Sequence, residues 1–191
     1  MHTRPTRSRL AAAAFAALFA IAGASAAAAA TQGTPGTTSS GSVTINASIA
    51  ARVAISNLSD VTFADTDLAP VLGSGTSAQK TENVCVWSNN SDRSYFITAS
   101  GSGAANAFTL ASGANPVIPY SVAWNQQTGQ SSGTALSAAT KSSKFTSTAV
   151  STNCGGGASA TLLVSILGTD AGAMLAGASY TGTLTLLVSP T

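Results

Sequence analysis

The sequence predicts an all-β protein built as a β-sandwich, and three observations predict it. Many stretches alternate apolar and polar residues with a period of two, which places one face of a strand inside and the other in water. Helical periodicity is absent beyond the first thirty residues. Seven or more short runs of this kind are separated by turn signals rich in Gly, Pro, Asn and Asp, the spacing of a sandwich.

Residues 1–30 read as a signal peptide. Arg4, Arg7 and Arg9 make a basic start, Leu10–Ala22 (LAAAAFAALFAIA) is apolar, and small residues follow. Ala24-Ser25-Ala26 or Ala28-Ala29-Ala30 suits cleavage, near residue 26 or 30. An uncleaved anchor is the alternative, because about twenty residues span a bilayer. The alanine-rich run and its small-residue end favour cleavage and export.

Cleavage leaves roughly 160 residues, enough for one domain with a core. Of the eight basic residues, three leave with the signal; five then stand against six acidic ones, a net of −1. No basic patch for nucleic acid and no polybasic run for an anionic membrane remains. Cys85 and Cys154 are the two cysteines. In an oxidising compartment such a pair reads as a disulfide, with two free thiols as the alternative.

The elements follow in order. Residues 31–40 (TQGTPGTTSS) read as a flexible polar leader. In Gly41–Ser56 every odd position from Val43 to Ile55 is apolar. Thirteen residues is long for one strand, since about five or six is usual. The run is therefore two consecutive strands, or one strand that reaches beyond its own domain. Val61–Phe63 reads as a short strand, and Ala64–Thr81, with Pro70, Gly73 and Gly75, as a long loop. Val84–Ser88 and Ser94–Ala99 flank the turn signal Asn89–Arg93 and predict a hairpin.

Phe108–Leu110 is short. Ile118–Trp124 alternates, with Ile118, Tyr120, Val122 and Trp124 on one face. Lys141–Ala149 reads as a polar edge strand whose lysines discourage stray pairing. Ala160–Leu167 (ATLLVSIL) reads as a buried strand, Asp170–Ala178 as room for one helical turn, and Tyr180–Val188 as the closing strand.

Catalytic chemistry is missing. The single histidine, His2, lies in the signal peptide, so a Ser-His-Asp triad is excluded. Asp60, Asp65 and Asp67 cluster in one region, unlike the paired carboxylates across a glycosidase cleft. Asp65-Thr66-Asp67 reads as a solvated loop before a Ca²⁺ site. Gly155-Gly156-Gly157 lacks the Lys and Ser/Thr of a phosphate loop. Two cysteines without histidine do not fill a tetrahedral metal shell. The expectation is no enzyme, no cofactor and no metal. Trp87, Tyr95, Tyr120 and Trp124 are weighed as a sugar platform against the core, and Trp124 falls on the core phase.

The order of segments carries a resemblance. Thr44-Ile45-Asn46-Ala47-Ser48-Ile49 stands where a T-V-T-A-S-V strand opens the chaperone–usher pilins of the alternate, colonisation-factor pathway. Pro119–Trp124 matches their I-S-V-S-W strand, and Ala176–Gly182 their A-G-x-Y-S-G motif. The similarity runs from Gly41 to Val188. Cys85 and Cys154 depart from that pathway and resemble the cysteine use of spore-coat-U-like and archaic pilins.

The resemblance implies an immunoglobulin-like sandwich over 41–191, lacking one strand and completed by a donor strand from a neighbouring subunit. By position, Val43, Ile45, Ala47 and Ile49, within a donor strand of about 41–50, would be the inserted side chains. Tyr180, Leu184, Leu186 and Val188 would line the acceptor groove. The implied partners are identical subunits in a head-to-tail polymer, a periplasmic chaperone, an outer-membrane usher and a host receptor. The implied place is the cell-surface fimbria after passage through the periplasm, and the implied role adhesion or biofilm. A monomeric secreted sandwich that is adhesive or binds carbohydrate through Trp87 or Tyr95 is the alternative.

Overall fold

Strand pairing uses most of the alternation in the sequence. The computed structural model describes residues 30–191, so the predicted signal peptide lies almost wholly outside the described residues. The strands are β1 Val53–Ser56, β2 Ser77–Ser88, β3 Ser94–Gly101, β4 Thr109–Leu110 and β5 Ile118–Pro119. They continue as β6 Ser121–Asn125, β7 Thr134–Leu136, β8 Phe145–Thr146, β9 Ala160–Leu167 and β10 Leu184–Pro190. Two four-residue helices, α1 Asp65–Leu68 and α2 Gly168–Ala171, interrupt them. Among the described residues no helix is long and apolar enough to cross a membrane.

The strands form an all-β sandwich. One sheet has the order β1-β2-β9-β6-β7, the other β10-β3-β8, and β4-β5 is a separate ribbon. Every pairing between these named strands is antiparallel. β9 occupies the middle of the larger sheet, where neither face meets water freely, and its run from Ala160 to Val164 is buried throughout. This is the continuous apolar pattern of a strand covered on both faces. Thr161, inside that run, is satisfied by Gln127 O at 2.8 Å and Asn83 Oδ1 at 3.2 Å. Between the sheets Val84 and Val86 of β2 and Val122 and Trp124 of β6 meet Tyr95, Ile97 and Ala99 of β3.

The disulfide between Cys85 and Cys154 is present, with Cα atoms 5.8 Å apart. It ties β2 to the glycine-rich turn Cys154–Gly156 before β9.

Several expectations are corrected. Val84–Ser88 and Ser94–Ala99 do not form a hairpin. β2 pairs with β9 over Ser77–Val84 and with β1 over Cys85–Ser88, and β3 pairs instead with β10 and β8. The turn at Asn89–Arg93 therefore carries the chain from one sheet to the other. Ser88 Oγ donates to Ser94 O (2.9 Å), and Asp92 Oδ1 accepts from Ser94 N (3.1 Å), which closes the corner.

The long loop Ala64–Thr81 instead holds α1, a turn at Ala69–Val71 and the first half of β2. Ser77–Thr81, the end of the expected loop, is polar apart from Ala78, yet the ladder with β9 holds it extended. Val61–Phe63 makes no strand pairing. Ile118–Trp124 breaks at Tyr120 into β5 and β6, and β7 carries no sequence signal. Of Lys141–Ala149 only Phe145–Thr146 is a strand, at a sheet edge, while Lys141 Nζ sits 3.6 Å from the centre of the Phe96 ring. The helical turn falls at Gly168–Ala171, and the closing strand starts at Leu184 rather than Tyr180.

The long N-terminal run divides. A boundary between Ser48 and Ile49 divides the chain into two units, and the second, Ile49–Thr191, carries every named strand. Val53 and Ile55 pack against the main core as part of β1. In the first unit Thr31 and Ser42 form an antiparallel bridge, so the leader is a closed loop and not a free tail.

Candidate functional site

β9 presents Leu162, Val164 and Ile166 on one face, and β10 presents Leu184 and Leu186 opposite. Between them runs a groove of about 990 Å³. Its second wall is the unpaired segment Leu58–Phe63, which leaves the sheet after β1, and one end is lined by Leu110, Tyr120, Met174 and Tyr180. Asn57, at φ 60°, turns the chain out of the ladder there. A left-handed residue ends regular strand geometry, and asparagine tolerates that region better than most.

The edge of β10 gives the groove its chemistry. β10 pairs with β3 from Leu184↔Gly101 to Pro190↔Tyr95, and among the described residues no strand pairs with its other edge. Such an edge presents main-chain donors and acceptors in a row, which is a template for another strand. Leu184 and Leu186 remain only half-buried against the core, and Leu58 is 51% exposed. Asp60 is the one carboxylate among the lining residues. The Tyr120 hydroxyl ionises above its ordinary value because the ring is partly buried, stacked on Phe108 at 5.6 Å between centres.

Of the acceptor residues expected from sequence, Tyr180, Leu184 and Leu186 line this one groove. Val188 does not, although it packs on the same core as Leu184 and Leu186. Tyr180 Oη accepts a hydrogen bond from Leu175 N at 3.2 Å, and Thr181 next to it bridges to Ala111. The expected donor residues are exposed: Val43 at 74%, Ile45 at 87% and Ile49 at 77%, with Ala47 exposed as well.

Sequence reasoning missed the floor and far wall. Leu162, Val164 and Ile166 share one phase of an apolar run, and Val61 and Phe63 alternate, but neither pattern says which side faces a void.

Two alternatives weighed from the sequence meet the structure here. Tyr95 and Trp124 have no exposed surface, so neither can stack on a sugar. Asp67 is not free for Ca²⁺: it accepts from Lys80 Nζ and from Ala64 N, both at 2.8 Å, and the Lys80 contact holds its carboxyl below the ordinary value.

No protein-family model matches the chain, and no curated protein matches it. Among solved structures it is similar, at 13% identity and a TM-score of 0.43, to a chain from a chaperone–tip adhesin complex described as vital for synergistic activation of CFA/I fimbriae biogenesis. The match covers 74% of this chain and 42% of that one, so this chain spans less than half of its length.

Proposed function

We propose that this chain is a non-enzymatic structural subunit of a surface fimbria, polymerised by donor-strand exchange. The observation that carries the reading is the groove beside the unpaired edge of β10, with exposed Val43, Ile45 and Ile49 in the same chain. A strand from a second copy would hydrogen-bond along β10 and set alternate side chains onto Leu162, Val164 and Ile166. Burying Val43, Ile45, Ala47 and Ile49 would contribute roughly 5–10 kcal/mol before ordering costs. The contact is head-to-tail and does not close on itself, so it builds a filament.

Until a neighbour arrives, the apolar groove and open edge need cover. A periplasmic chaperone and an outer-membrane usher are the partners this chemistry calls for, with a fimbria at the cell surface as the product and adhesion or biofilm as its use. The carbohydrate-binding alternative keeps only half-buried Trp87 of its two aromatic residues, because Tyr95 is buried.

The test is a gel of protein sheared from the cell surface, unheated beside heated. A ladder that collapses to one band on heating supports strand exchange. A single monomer band in both lanes overturns it.

A further inference from the structure

The leader loop in front of the donor residues is closed by specific contacts. Thr31 N donates to Ser42 O at 2.9 Å, and Ser42 N donates to Thr31 O at 3.0 Å. The two hydroxyls, Thr31 Oγ1 and Ser42 Oγ, lie 2.6 Å apart and share a further hydrogen bond. Ser42 N also reaches Thr31 Oγ1 at 3.1 Å.

Glycines permit the closure. A Cβ at Gly41 would stand 2.8 Å from Thr31 O, and one at Gly33 would collide with Ser39 Oγ. The bridge ends one residue before Val43, the first residue of the exposed apolar row.

We propose that this closed loop is a register stop: it sets how far the chain's N-terminal strand enters a neighbour's groove. The inference rests on the strand-exchange reading above. A groove that adds one strand to β10 has room for one backbone, about 4.8 Å of sheet width. The Thr31–Ser42 bridge makes the leader two backbones wide, so it halts at the mouth with Val43 as the first inserted residue.

A stop is needed because the donor row is weakly specified by itself. Val43, Ile45, Ala47, Ile49, Ala51 and Val53 alternate without a break. A slip of two residues therefore keeps apolar side chains facing inward. The hydroxyl and backbone contacts of Thr31 and Ser42 supply a mark that this periodicity lacks.

The experiment is hydrogen exchange on assembled polymer, read together with the temperature at which the ladder collapses. Gly41→Val opens the loop by crowding Thr31 O, and a chain lacking residues 32–40 removes the loop altogether. For the parent, amide protection should begin sharply at Val43. In both altered chains the boundary should move away from Val43 by a two-residue step, and the collapse temperature should fall.

An unmoved boundary and an unchanged collapse temperature in both altered polymers would overturn the stop while leaving strand exchange standing. A parent chain that forms no ladder would overturn both.

Discussion

Trp124 Nε1 donates a hydrogen bond to Tyr95 Oη at 3.1 Å, and neither side chain has exposed surface. Trp124 lies on β6 of the larger sheet and Tyr95 on β3 of the smaller one, so this bond crosses the sandwich. It links the two sheets through the main core. Tyr95→Phe keeps the ring and removes the acceptor, which leaves a buried indole N–H unpaired. The expected loss is about 1–3 kcal/mol of stability, measured by urea denaturation. A loss within error of zero would mean that the bond does not couple the sheets.

The same tyrosine sets an alkaline limit. Burial pushes its hydroxyl up to about 12, with the Trp124 bond partly opposing. The unfolded chain ionises near 10, so above that pH the native state holds the extra proton. Stability is complete below about pH 10 and falls as pH rises towards 12, by an order of roughly 2–3 kcal/mol. Denaturation midpoints at pH 9 and 11.5 should fall steeply in the parent. They should fall less in Tyr95→Phe, and equal slopes would refute the assignment.

An acid limit has the opposite sign. The Ser94 hydroxyl and amide, and Lys144 at 3.2 Å, hold the Asp92 carboxyl down to about 2. A depressed carboxyl stabilises the fold above its ordinary value near 4, and that contribution fades as pH falls to 2. Asp92 is surface-exposed, so the effect is small. Asp92→Asn should flatten the midpoint between pH 4 and 2, and an unchanged slope there would remove Asp92 from the account.

Removing the disulfide frees a loop with a sequence separation of 69 residues. Chain entropy alone assigns such a closure on the order of 4 kcal/mol. Cys85→Ala with Cys154→Ala should lower stability by about 2–5 kcal/mol in guanidinium unfolding. No shift would mean that the denatured chain is already compact between the two positions.

Ile45 separates folding from assembly. It is 87% exposed, so Ile45→Asp should leave the thermal midpoint of the isolated subunit unchanged. A carboxylate at the second inserted position would meet the apolar floor of a neighbour's groove, where an unpaired charge is costly. The surface ladder should disappear. A ladder equal to the parent's would exclude this strand as the donor.

Legibility in the sequence followed how local the determinant was. Ala160–Leu167 was readable to the residue because burial of most of it leaves a run dominated by apolar residues. Val122 and Trp124 took the core phase their alternation predicts, and Cys85 found Cys154. The polar half of β2 was not readable, because backbone pairing with β9 decides it and side chains do not record that.

The Asn89–Arg93 turn was recognisable as a turn, but its job was not. Whether a turn joins neighbours in one sheet or crosses between two depends on which edges other strands have already taken.

The all-β class, the alternating faces and the apolar row Val43–Ile49 follow from local order alone, because a period of two is written into consecutive residues. Long-range packing set which segments share a groove: Leu58–Phe63 and β10 line it together with Leu162, Val164 and Ile166, and Val188 does not. A groove is a gap between segments more than a hundred residues apart in the chain, and no local pattern encodes a gap.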